Sequence, residues 1–310
     1  MEQETATTRR EFVAASGALA LGLAASGADA QTKTYRTKLY GAMIVGKPDE
    51  AALRPLKEAG FEGVEAGVIH EDEARECRRI AENMGMRIHS VLAGWDPGIL
   101  EKALRAAHAY GADAVLIVPG AVRGMKMPEP WELDIKFDPK TGYLKQVVAG
   151  DNAPYREYME AHDRATDKAH ADIGPLVALA AELKVAIALE NVWHNLWSRP
   201  DLFKNLVTSF KSPWVKAYFD VGNHVKYLVP PEVWIRTLGR LIAKVHIKDY
   251  KLAPDGRSGS FVHPRDGSVN WPAVRSALEA ARYNGWLTIE DGGLPLSEFR
   301  KRLDEIIAGR

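Results

Sequence analysis

Four residues whose side chains can bind a divalent cation stand at or near the ends of four successive apolar runs in the C-terminal half of the chain. They are Glu190 in VAIALEN (185–191), Asp220 in VKAYFDVGNH (215–224), His246 in AKVHIKDY (243–250) and Glu290 in WLTIED (286–291). Three carboxylates and one imidazole make an oxygen-rich donor set. That set suits Mn²⁺, Mg²⁺ or Co²⁺ better than a structural zinc site, which favours cysteines. Taken singly, an acid at a strand end is more often a helix cap, and a lone histidine more often packs. Four such groups at four successive strand ends weaken that reading for the set.

Something must bring these ends together. Each run has the length and the β-branched or aromatic content of a buried strand, and a helix-like segment follows it. Upstream, the runs 38–46, 61–68, 86–94 and 112–120 read the same way, with helices opening at Pro48-Asp49-Glu50, Asp72 and Asp96-Pro97. A long helical pattern spans 154–183, and further helices are expected at 200–210, 230–241, 271–283 and 296–307. Eight strand–helix units in this length predict a single closed (β/α)8 TIM barrel, whose strand C-termini gather on one rim. An open doubly wound sheet would need a glycine-rich phosphate turn after an early strand, and the sequence has none. The rhythm breaks only in the β4–α4 connection, residues 121–151. There Asp138-Pro139-Lys140-Thr141-Gly142 predicts the turn of a small hairpin, read as a flap over the site, a surface decoration or a subunit contact.

Alternation along a strand then tests which side chains share a face. His246 and Lys248 point one way, and Ile247 and Asp249 the other. Glu190 shares its face with Ala188 and Ala186, small enough to leave room inside a barrel. Gly222, two residues past Asp220, permits close approach of backbone or ligand. Glu290 shares a face with Thr288. A consistent inward set results: Glu190, Asp220, His246 and Glu290, with Lys248 beside them.

Composition narrows the function. Lys+Arg and Asp+Glu balance at 41 each, so there is no electrostatic footprint for nucleic acid. The single cysteine, Cys77, rules out an internal disulfide. Residues 1–30 carry Arg9-Arg10, an apolar stretch from Val13 to Ala25 and a small-x-small Ala28-Asp29-Ala30. They resemble a twin-arginine signal peptide, which implies cleavage before Gln31 and a protein that is periplasmic or otherwise exported, with no membrane span in its mature form.

The segments LENVWHNLWSRP, YFDVGNH, WIRTLGRLIAKVHIKDYK and DGSVNWPAVRSALEAARYNGWLTIE resemble the sugar isomerase/epimerase superfamily with a xylose isomerase-like barrel. The resemblance runs from about Tyr40 to the C-terminus. It implies that Glu190, Asp220, His246 and Glu290 hold one divalent metal, Mn²⁺ before Mg²⁺ or Co²⁺. It also implies that Glu190 and Glu290 exchange protons with opposite faces of a small carbohydrate, and that oligomers are common. A hydroxyketone chelated through two oxygens would lose an α-proton to give a metal-stabilised enediolate. Return of the proton to the other face is epimerisation, return to the neighbouring carbon is isomerisation, and loss of a β-leaving group is elimination.

The chain departs from ketose 3-epimerases where their substrate histidine is replaced by Asn223, with His224 one further on, and their arginine by Leu252. Lys248 and Lys251 are the nearby cations. Substrate contacts are therefore expected from Lys248, His224 and Asn223, with His89, Glu65 and His194 either touching substrate or supporting the ligands. Trp193, Trp197 and Tyr250 could stack on a sugar, although core packing is their default. An exported location favours a non-phosphorylated keto-sugar or glycoside. A keto-glycoside lyase or dehydratase, or a non-catalytic carbohydrate-binding barrel, are the alternatives.

Overall fold

The computed structural model describes residues 34–310, so the signal-peptide reading of 1–30 lies outside the described residues. The first elements are β1 (Leu39–Val45), α1 (Glu50–Glu58), β2 (Gly63–Gly67), α2 (Glu71–Asn83), β3 (Arg87–Gly94), α3 (Leu100–Tyr110) and β4 (Ala114–Ile117). Helix α1 starts where Asp49 accepts a hydrogen bond from the Ala52 amide at 2.9 Å, satisfying one of the free N–H groups of the first turn. Helix α3 stops at Gly111, whose φ of 74° is the left-handed value that glycine adopts without strain.

After β4 comes the expected hairpin, β5 (Leu133–Phe137) against β6 (Leu144–Val148). Asp138 sets its turn by accepting from the Lys140 amide, and Gly142 closes it at φ 77°. This hairpin is fastened to the flank of the barrel. Helix α4 (Arg156–Ile173) holds it through Asp163, which accepts from the Leu144 amide, and through Asp167, which accepts from the Tyr143 hydroxyl.

Helix α5 (Val177–Leu183) follows α4 after a break. The single helix read over 154–183 is in fact two, because Gly174-Pro175 forms a 3-10 turn and proline has no amide to continue the α-helical ladder.

The C-terminal half carries β7 (Ala186–Glu190), α6 (Pro200–Ser209), β8 (Val215–Asp220), α7 (Pro231–Leu238) and β9 (Ile242–Ile247). A second hairpin then appears, β10 (Asp249–Leu252) against β11 (Gly259–Val262), where the sequence reading ran one strand through to Tyr250. Helix α8 (Trp271–Ala280), β12 (Gly285–Ile289) and α9 (Leu296–Ile307) complete the chain.

Eight of the strands close into a barrel in the order β1-β12-β9-β8-β7-β4-β3-β2. Every neighbouring pair is parallel, so all eight C-termini open on one rim. Most buried apolar side chains lie between strands and helices. A smaller cluster plugs the barrel interior, where Ala186 and Ala188 of β7 leave space that Tyr218 of β8, Leu116 and Val118 fill. Below it, the buried Lys244 is neutralised by Asp113 at 2.5 Å. Among the described residues, no helix is long and apolar enough to cross a membrane.

Candidate metal centre

Strands β7, β8, β9 and β12 are consecutive neighbours in the barrel, and each delivers one group to the rim. Register does the alignment: Asp220 lies opposite His246, and His246 opposite Thr288, two residues before Glu290. One donor atom each from Glu190, Asp220, His246 and Glu290 fall within 4.8 Å of one another. Bonds of about 2.1 Å to one cation place donors up to about 4.2 Å apart, so the set closes on an ion with shifts of tenths of an ångström.

The donor atoms are also unspent. Asp220 Oδ2, His246 Nδ1 and Glu290 Oε2 are buried without a hydrogen-bond partner. The last two lie 2.7 Å apart, but at angles that make no hydrogen bond. Groups in this state are costly to bury unless something else completes them. Four carboxyl groups, counting Glu65, face a single ammonium, that of Lys248. A divalent cation answers both the charge imbalance and the empty lone pairs, so the residues fit a metal.

His246 is oriented for this role. Its Nε2–H donates to Glu65 at 2.6 Å, both side chains being fully buried, which leaves Nδ1 to face the other three groups. A carboxylate behind a ligating histidine is the usual means of fixing its tautomer and ring plane. The Tyr218 ring packs on the imidazole with centroids 4.4 Å apart.

Asp220 is held through its main chain. Asn191 accepts from the Asp220 amide at 2.7 Å and donates to its carbonyl at 2.9 Å, tying the ends of β7 and β8 together. The Asn223 amide donates to Asp220 Oδ1 at 2.6 Å, which turns the chain immediately after the aspartate and ends β8 there. The strand read through to His224 stops at Asp220 for this reason. Gly222 is needed at this turn, since a Cβ there would stand 2.7 Å from that of Lys248.

The carboxylates differ electrostatically. Burial raises the pKa of Glu190 and takes Asp220 to about 7, the latter opposed by Lys248. Burial acts the same way on Glu290, but the His246 ring and the Lys248 ammonium outweigh it and hold the carboxyl at about 2. His246 is shifted well upward, because Glu65 and Glu290 overcome the desolvation that would lower it. Lys248 is 2.7 Å from Glu290 and 3.9 Å from Asp220, in keeping with the face it shares with His246.

Of the other residues singled out, Asn223 reaches the cluster, with its Nδ2 at 3.5 Å from Glu190. His224 turns away. Its Nε2–H donates to the Val192 carbonyl and its ring packs edge-on against Trp234, so it fills the space between β8 and α7. His194 is spent on the Leu196 amide and the edge of Trp197. His89 lies deeper in the barrel, bonded to the Thr288 hydroxyl at 3.0 Å and stacked on Trp286. Glu65 lies behind His246. Asn191 was not singled out from the sequence, although it directly follows Glu190. Its role depends on the neighbouring strand, which no local pattern reveals.

Three carboxylates and a histidine able to hold a cation at the C-terminal rim of an eight-stranded barrel define a recognisable class. The description of the xylose isomerase-like TIM barrel family matches residues 53–305, and the chain belongs to that family. The Rhizopine catabolism protein MocC of Rhizobium meliloti is 22% identical over 256 residues, covering 78% of this chain and 74% of that protein. The 3-keto-D-glucoside 4-epimerase YcjR of E. coli superposes with a TM-score of 0.63 at 14% identity, covering 87% of this chain and 99% of that one. Mannonate dehydratase of Streptococcus suis gives 0.63 at 14% identity, covering 87% and 94%. At these identities the two structures share the fold with this chain.

Proposed function

We propose that this protein is a divalent-metal-dependent isomerase or epimerase of a non-phosphorylated keto-sugar or keto-glycoside, with Glu190 and Glu290 as its acid–base pair. The observation that carries the reading is the convergence of four buried donors, three of them without partners, around a histidine whose tautomer Glu65 fixes. When bound, a divalent cation polarises a carbonyl and its neighbouring hydroxyl, which acidifies the carbon–hydrogen bond beside them. Mn²⁺ is the favoured ion, with Mg²⁺ and Co²⁺ next.

Glu190 and Glu290 come from strands on opposite sides of the β8–β9 pair, so a substrate held between them meets a carboxylate from each side. One carboxylate takes the α-proton and the other supplies a proton to the opposite face. Lys248, beside Glu290, holds a substrate oxygen and keeps Glu290 ionised as a base. Asn223 orients Glu190. The twin-arginine-like leader supports an exported protein and hence a substrate without phosphate. The naming of one fold neighbour as an epimerase of a 3-keto-D-glucoside is consistent with that class.

Elimination is the second reading, since the Lys248 ammonium, 2.7 Å from Glu290, can donate a hydrogen bond to a departing aglycone oxygen. A dehydratase among the fold neighbours fits it. A non-catalytic binding barrel would be expected to have lost ligands, and all four are present.

The test is incubation of methyl 3-keto-glucopyranoside with the protein and Mg²⁺ in deuterated water, read by mass spectrometry. Epimerisation gives product of unchanged composition carrying one deuterium, and elimination across C1–C2 expels the C1 methoxy group and gives loss of methanol. Glu290→Gln should slow deuterium uptake at least about a hundredfold. Uptake at the normal rate in that variant would remove Glu290 as a base.

A further inference from the structure

Arginines on the outer helices pair with acids one turn away, as Arg78 does with Glu82 and Arg105 with Glu101, both at 2.8 Å. Cations at the mouth of the barrel behave differently. Among the described residues, Lys226, Arg257 and Arg123 have no carboxylate oxygen within 4.0 Å and stand over aromatic rings instead. Lys226 Nζ lies 3.9 Å from the centre of Trp193, Arg257 Cζ 5.0 Å from Trp131, and Arg123 Cζ 5.8 Å from Trp95. Cations and rings alike sit on segments that follow barrel strands, and so leave the barrel at the rim that carries the metal cluster.

A continuous run of contacts leads outward from that cluster. Lys248, at 2.7 Å from Glu290, is 5.6 Å from the ring of Phe261, which stacks on Trp193 at 4.8 Å, under Lys226. Phe261 and Trp95 are 45% and 48% exposed, leaving two broad apolar faces in water, the first of them beside Lys248. Lys226 is half-buried and its pKa is lowered by desolvation, with only the distant Glu129 acting against that. It is an ammonium with no carboxylate in contact.

We propose that this rim binds the part of the substrate beyond the reacting ring, and that this part is a carboxylate-bearing sugar. The substrate class is then an acidic glycoside or short acidic oligosaccharide. The inference rests on the reading that the metal cluster takes a sugar. Pyranose rings present flat C–H faces to Phe261 and Trp95, and uronate carboxylates supply the anions that Lys226 and Arg257 lack. A neutral glycoside leaves those cations unmatched. A phosphodiester chain meets the acids Glu190, Asp220 and Glu290 at the centre of the mouth and a protein of zero formal net charge.

Calorimetric titration of the full chain with tetragalacturonate and with cellotetraose, after chelation and again with Mg²⁺, tests this. The acidic tetramer should bind about tenfold more tightly than the neutral one in both states, and more weakly as salt rises. Lys226→Met and Arg257→Gln should each weaken it about two- to fivefold, and together about tenfold, with cellotetraose unaffected. Melting curves confirm that the variants are folded. Equal affinity for the two tetramers, no binding of either, an unaffected double variant, or preference for an oligothymidylate would each overturn the proposal. Acidic-tetramer binding without deuterium uptake by any keto-sugar would leave the rim standing and sink the isomerase reading. Turnover of the neutral methyl keto-glucoside with no acidic preference would do the reverse.

Discussion

Glu65 receives the Nε2–H of His246 at 2.6 Å and so decides which ring nitrogen presents a lone pair to the cluster. Replacing it by glutamine keeps the volume and removes the charge that draws the proton to Nε2. Glu65→Gln should therefore lower Mn²⁺ affinity about ten- to a hundredfold, measured by calorimetry, while the fold is retained. Unchanged affinity would reduce Glu65 to a packing residue. The four cluster residues could be read from the sequence because each is a polar group closing an apolar run. Glu65 could not be placed the same way, since its partner is 181 residues distant and only barrel closure brings them together. The histidines at 89, 194 and 224 show the converse, for a side chain near a rim in sequence can still turn into the packing between elements.

Among the elements, the β10–β11 hairpin depends on one buried carboxylate. Asp249 accepts from the amides of Tyr250, Arg265, Gly267 and Val269 and from the Trp271 indole, at 2.8–3.2 Å. Asp249→Ala leaves those donors buried and unpaired, and should cost about 2–4 kcal/mol in urea unfolding at neutral pH. A loss under about 0.5 kcal/mol would mean that water replaces the carboxylate.

At the other end of α8, Glu279 accepts from the Thr37 hydroxyl and from the amides of Arg36 and Thr37, which hold its carboxyl at about 2, below the ordinary 4.5. The folded state therefore binds fewer protons than the unfolded state across that interval. The stability this carboxylate contributes is complete above 4.5 and is lost as pH falls toward 2. Melting temperatures of Glu279→Gln and the parent should differ most near neutral pH and converge on acidification. A difference that does not change with pH would contradict the linkage.

The hairpin was missed in the sequence because Asp249 and Tyr250 continue the alternation of β9, and only the antiparallel partner reveals the change of direction. The break between α4 and α5 was visible as Gly174-Pro175, but the alanine-rich pattern on either side masked it.

For the molecule as a whole, strand–helix alternation and the absence of a glycine-rich phosphate turn were enough to reach a closed barrel, because eight parallel strands of this length have few other ways to bury both faces. The rim is harder to read. Its cations and rings are scattered over loops from 95 to 261 and share a surface only after closure.

The central claim is that one metal ion, held by the four-residue cluster, enables proton exchange on a keto-sugar. Its most direct test is deuterium uptake by methyl 3-keto-glucopyranoside in the chelated protein, in the same protein given one equivalent of Mn²⁺, and in Asp220→Asn given the same. Uptake absent after chelation, restored by Mn²⁺ and missing from Asp220→Asn is the predicted result. Full uptake in the chelated protein, or in Asp220→Asn, would contradict it.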